Sequence, residues 1–374
     1  MAENIYYNAN LICQKINATD PDLPAKYFED RSGPIVTNAT TYEFTITRAT
    51  VESMNIPILI PKIDTTQSNP NVCVYKLQLS ASVKIGSTVT TYKSAIVPLT
   101  YVCRNKYVND SVSDPSVNGQ TNSQYYFMFN LQDFVDMFNV GLNIAQASLV
   151  AAATAGGVSL VTTVPKMCYS ANLFSIYYDS WGYGNSDAKS TGTGQVEWCS
   201  LSVNDPLYNL LRNFNSTFIP SSGNAMDWQF IVSNKMNNNA TIGSKNYYVE
   251  TQSYESVSNL WSPVSSIVFY SNMGIRSEYI GTTQVLNGQN TVESGGNNFE
   301  LNIGDIVLPL DNSMDYNSYI VYSPVIYRYS DIIVDEIRNI DISLYWKSKN
   351  GILYNIMLSD GCSMSIKMLF RKKF

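Results

Sequence analysis

No histidine occurs anywhere in the 374 residues. That absence removes the most frequent general base, the commonest metal ligand and the one side chain whose unperturbed titration falls near neutrality. Charge is scarce as well: 14% of the residues are charged and the formal balance is -6, whereas soluble domains carry roughly one quarter. Asn, Ser, Thr and the 27 tyrosines must therefore keep the surface wet, and tyrosine is also suited to packing against other chains. Such a composition fits life inside an assembly, and it follows equally from AT-rich coding; composition does not separate the two. The six cysteines, Cys13, Cys73, Cys103, Cys168, Cys199 and Cys362, form no C-x-x-C pair and no secretory framework, so buried reduced thiols are expected. There is no apolar run of roughly 18 residues, so no membrane span is expected. The opening "MAENIYYNANLICQKINATD" lacks a basic n-region and an apolar h-region, which predicts no signal peptide. The sequons at Asn38-Ala39-Thr40 and Asn215-Ser216-Thr217 then reflect the abundance of Asn and Thr rather than glycosylation.

Signatures of chemistry are equally thin. Without histidine a Ser or Cys nucleophile would need Lys, Asp or Glu as its base, and no G-x-S-x-G elbow is present. Gly182-Tyr183-Gly184 lacks a third glycine and Gly243-Ser244-Lys245 is not a Walker A loop. Asp331, Asp335 and Glu336 in "YSDIIVDEI" offer carboxylates for glycoside hydrolysis, but nothing in the pattern sets an acid against a nucleophile. Asp311, Ser313, Asp315 and Asn317 alternate like calcium ligands, yet Tyr316 and Tyr322 stand where an EF-hand needs Gly and Glu. No enzyme, no cofactor and no metal are expected.

What is present is strand pattern. "YEFTITRA" alternates Tyr42, Phe44 and Ile46 against Glu43, Thr45 and Thr47; "VYKLQLSASVKIG" alternates Tyr75, Leu77, Leu79, Ala81 and Val83 before a Gly86 turn. "SSIVFYSN" and "YIVYSPVIYRYS" are rich in β-branched and aromatic residues and read as core strands. "NIDISLYWKSKNG" turns Ile340, Ile342, Leu344 and Trp346 inward, with a hairpin at Asn350-Gly351, and the final run places Ile366, Met368 and Phe370 on one face. Between these lies a helix capped by Asn130 and ended by Gly156-Gly157, with Leu131, Phe134, Val135, Phe138, Leu142, Ala145 and Leu149 on one side. No basic residue lines its polar face, which favours a core-covering helix over a membrane binder. A shorter helix or turn is predicted at "NDPLYNLLRNF".

The outline is mainly β: one antiparallel sandwich interrupted by a mixed α/β insertion. The expected boundaries are an N-terminal arm over 1–40, the first part of the sandwich over 41–104, the insertion over 105–240 and the second part over 241–374. The last strand runs directly into Arg371, Lys372, Lys373 and Phe374. These are too few for a nucleic-acid patch alone, but several copies gathered at one surface would add their charges.

"NLWSPVSSIVFYSN" (259–272) and "IDISLYWKSKNGILYNIMLSDGCSMSIKMLFRKKF" (340–374) resemble the single jelly-roll vertex proteins, or pentons, of virophages and of polinton-like and adinto-like viruses. "TRATVESMNIPILIPKI", "FVDMFN", "DPLYNLLRNF" and "YIVYSPVIYRYS" follow in that family's order, and length and Asn/Tyr bias are nearest the Sputnik-type virophage pentons. The resemblance implies a single jelly roll with an inserted domain, a homopentamer at the vertices of an icosahedral double-stranded DNA virus, and a double jelly-roll major capsid protein as neighbour. It further implies assembly in the host-cell cytoplasm and an insertion able to meet a host or giant-virus surface; with the last strand closing such a jelly roll, Arg371, Lys372, Lys373 and Phe374 are expected to contact a neighbouring capsid subunit or the capsid interior. The alternative is a lectin-like or receptor-binding β-sandwich module.

Overall fold

A computed structural model describes residues 4–17, 22–52, 56–104, 124–171, 173–183, 189–190, 195–220, 226–232, 239–242, 244–254, 261–276, 283–286, 292–295, 302–307 and 319–373. The chain divides into two compact units, Met1–Ile58 with Ser262–Phe374, and Leu59–Trp261.

Eight principal strands build the first unit: β1 (Ile5–Ile12), β2 (Lys26–Asp30), β3 (Tyr42–Glu52), β4 (Val264–Tyr270), β5 (Asn302–Val307), β6 (Tyr319–Tyr322), β7 (Asn339–Ser348) and β8 (Ser363–Lys372). They form two antiparallel sheets in the orders β1-β8-β3-β6 and β2-β7-β4-β5. Every connection except β4–β5 changes sheet, which is the jelly-roll arrangement. Alternation along the strands decides the core. Phe44, Ile366, Met368 and Phe370 from the first sheet and Ile267, Phe269, Ile342 and Trp346 from the second are all buried, with the Phe44 and Phe370 rings 5.5 Å apart. The hairpin turns at Gly351, φ 83°, and returns Leu353–Asn355 alongside β7.

Two expectations are corrected here. Ile5–Ile12, placed in an irregular arm over 1–40, is a core strand whose eight residues pair with β8 from Ile5↔Phe370 to Ile12↔Ser363. Its inward side chains include the small Ala9, its outward ones Asn8 and Asn10, so its strand signal is weak. The hairpin of Val72–Ile85 and Thr88–Lys93, assigned to the sandwich over 41–104, lies in the second unit, as does Lys245–Thr251 from the 241–374 segment. Alternation identifies a half-buried strand but does not name its neighbour.

In that second unit the strand Val72–Ile85 pairs over residues 77–85 with Gln195–Val203 and over residues 80–85 with Thr88–Lys93. Helix α1 (Leu131–Ala155) covers them with the predicted apolar stripe, capped by the Asn130 side chain accepting from the Gln132 N–H at 2.8 Å. Gly141 permits the close approach: a Cβ there would stand 2.5 Å from Leu99 Cδ2. Among the described residues α1 is long and apolar enough to cross a membrane, but Phe134, Phe138, Leu142 and Leu149 on its inner face are buried in this unit. The segment expected to be a short helix or turn is the helix α2 (Asp205–Leu211), capped by Asn204. Two buried carboxylates pin the 161–163 segment. Glu197 accepts the N–H groups of Val161 and Thr162, and Asp179 accepts the N–H and hydroxyl of Thr163. All six cysteines are free thiols.

Candidate functional site

Antiparallel pairing fixes where the basic C-terminus lands. Lys372 lies opposite Tyr42, Phe370 opposite Ile5, and Ser330–Asp331 pairs with Phe44–Glu43. The C-terminus therefore sits at the end of the sandwich where the β2–β3, β4–β5 and β6–β7 connections turn. Those connections are joined to one another. Val36–Thr37 pairs with Glu336–Ile337, Ile275 bridges Ile332, the Arg276 N–H donates to the Asp331 carbonyl at 2.7 Å, and the Ile333 N–H to the Gly274 carbonyl at 2.9 Å. Gly274 is required there, with φ +72° and Val334 Cγ1 only 2.4 Å from where a Cβ would stand.

The terminal cations complete this joint. Arg371 donates from Nη2 to Glu43 Oε2 at 2.6 Å, and its guanidinium lies 3.5 Å from the centre of the Tyr329 ring. A planar guanidinium stacks its face on the ring while its edge donates to the carboxylate, a geometry that a compact ammonium does not share. Lys373 Nζ is 2.6 Å from Asp331 Oδ1, and its N–H donates to the Thr41 carbonyl at 2.8 Å. The hydrogen bond from Lys373 holds the Asp331 carboxyl below its usual range, and Glu43 raises the Arg371 guanidinium further. Of the four residues singled out from the sequence, Arg371 and Lys373 are thus taken up by carboxylates of their own chain. Lys372 is exposed, and Phe374 lies outside the described residues.

The other candidate groups do not converge. Asp331 serves Lys373, Asp335 contributes its carbonyl to the Ala39 N–H at 2.7 Å, and Glu336 accepts from Arg338 Nη2 at 2.7 Å. Tyr183 is buried in the second unit's core and Gly182 packs against Cys199; Gly184, Gly243 and residues 311–317 lie outside the described residues. Among the described residues no three Cys, Asp or Glu side chains gather as metal ligands.

Sequence reasoning missed the loop that the terminal cations brace. "YIVYSPVIYRYS" reads as one core strand, but the strand ends at Tyr322. Beyond it Val325 is 100% and Ile326 80% exposed, with Tyr327 and Ile333 also open to solvent. Pro324 was the available signal, because proline cannot donate to a ladder. What results is an apolar tip on a loop anchored by the Lys373–Asp331 ion pair and by the Tyr329 ring stacked on Arg371, which Glu43 holds in turn. Contiguous exposed apolar surface of this kind marks an interaction site.

The family model described as Sputnik minor capsid protein V18/19 matches residues 5–372. The fold is similar to a chain in the cryo-EM structure of the Sputnik virophage, with a TM-score of 0.72 and 21% identity over 99% of this chain and 98% of that one. It is also similar to the crystal structure of the mavirus penton protein, with a TM-score of 0.57 and 14% identity over 98% of this chain and 99% of that one. No curated protein sequence matches the chain.

Proposed function

The chain belongs to the Sputnik minor capsid protein V18/19 family, structural proteins of a virion, and on that premise we propose that it is a penton, closing the shell at a vertex as a ring of five. The carrying observation is the apolar tip at Val325 and Ile326, open to solvent yet held on a braced loop. Exposed apolar side chains on a tethered loop favour association, since their burial gains about 25 cal/mol per Å². Five-fold closure needs a head-to-tail contact between two different patches on each copy. A charge-poor, tyrosine-rich surface supports that kind of contact. The surrounding partner is the double jelly-roll major capsid protein, and the inserted unit is the part free to vary towards a host or giant-virus surface. Arg371, Lys372, Lys373 and Phe374 contribute to the capsid contact through the loop that Arg371 and Lys373 anchor.

Light scattering or native mass spectrometry on the purified full chain tests this reading. The expected mass is five times the 41.8 kDa of one copy. A monomer at tens of micromolar that binds glycans would instead support the lectin-like alternative.

A further inference from the structure

The first sheet has two lateral ends, β1 on one side and β6 on the other, and the second sheet ends correspondingly in β2 and β5. The loop tip belongs to the β6 side. On the opposite side, β2 displays Phe28, which is 63% exposed, followed by the exposed Asp30. The tip carries its own exposed charge of the other sign, Arg328. Neither Asp30 nor Arg328 forms an ion pair among the described residues.

The two patches also match in level along the strands. Tyr322 and Ser330, which flank the tip, lie opposite Ala49 and Phe44 of β3, and Tyr27, next to Phe28, hydrogen-bonds Tyr7, whose partner Met368 lies opposite Ile46 of β3. Each patch therefore sets an exposed apolar group beside an unpaired charge, Asp30 next to Phe28 and Arg328 next to Ile326, at one level along the strands but on opposite lateral edges; the other exposed charge of β2, Lys26, stands four residues away at the far end of the strand. Two complementary patches so placed are what a head-to-tail ring consumes, one on each side of every copy.

Resting on the self-association proposed above, we infer that the β6–β7 tip, with Val325, Ile326 and Arg328, packs against the β2 edge of a second copy of this chain, with Phe28 and Asp30 as its counterparts. Arg371 is a positioning residue in this contact, holding the loop through Tyr329 and Glu43 without reaching the neighbour.

The test is a charge exchange in the full chain, read by sedimentation as the concentration at which half the ring dissociates. Arg328→Glu and Asp30→Arg should each raise that concentration by roughly tenfold or more, because each sets like charges face to face. The two together should restore it to near the wild-type value. A V325D/I326D variant should be monomeric with an unchanged circular dichroism spectrum, since both side chains are exposed. Rings that persist at wild-type concentrations in V325D/I326D, or a charge pair that fails to restore assembly, would overturn this contact while leaving the pentamer intact. A wild-type chain that is itself monomeric would remove the pentamer reading and this contact with it.

Discussion

Glu29 is the acid on which the β1–β2 edge closes. It accepts hydrogen bonds from the hydroxyls of Tyr27, at 2.6 Å, and Tyr7, and from the Arg31 guanidinium. The two tyrosines come from different sheets, so one carboxylate ties the sheets together beside Phe28. Tyr27, then Tyr7, then Arg31 lower its carboxyl from 4.5 to about 2, while burial pushes both phenols up. A group whose folded-state pKa is depressed adds stability above its unfolded value, and that contribution disappears as pH falls through the folded one. The wild-type chain should thus lose stability between about pH 4.5 and pH 2. Glu29→Gln, which cannot ionise, should flatten that part of the profile and lower stability at pH 7, as measured by denaturant midpoints across the range. An unchanged acid limb would show that Glu29 is not a stabilising acid.

Elements differ in how plainly they announce themselves. Helix α1 runs from Asn130 to Gly156 as its cap residues and three- and four-residue spacing predict, because every signal there is local. Asn130→Ala should cost about 1 kcal/mol, seen in the melting temperature, since the Gln132 N–H loses its acceptor. Strands β7 and β8 were legible for the same reason: Ile340, Ile342, Leu344 and Trp346, and Ile366, Met368 and Phe370, keep strict alternation. Where the outcome depended on distant pairing, local pattern fell short. Val72–Ile85 alternates as well as any strand, but its partner, Gln195–Val203, lies more than a hundred residues away. The candidate site was legible in half. Arg371 and Lys373 stood out as charges at the end of a core strand, but their partners Glu43 and Asp331 are brought to them only by folding. The apolar tip was read as core because exposure is a property of the tertiary structure, and Val325 and Ile326 have the residue types that interiors favour.

At the scale of the whole molecule, the chain completes three strands of a jelly roll, builds a second body from Leu59–Trp261 and returns for the remaining five. Each body has its own buried core: Phe44, Phe269 and Phe370 in one, Phe134, Phe174 and Trp261 in the other. Proteins with more than one such core need not unfold in a single step. Calorimetry should therefore resolve two transitions, separable by where the damage is done. Phe370→Ala empties a fully buried site and should cost about 3–5 kcal/mol of jelly-roll stability. Gly141→Ala forces a methyl group against Leu99 and should cost about 1–3 kcal/mol, offset by up to ~1 kcal/mol of helix propensity, in the inserted body alone. If the ring forms through the sandwich edges, mass action ties the jelly-roll transition to protein concentration, whereas the transition of the inserted body stays fixed. Dilution should accordingly lower one melting temperature and leave the other in place, and V325D/I326D should remove the dependence. A single transition that both core variants shift equally would mean that the two bodies fold as one cooperative unit.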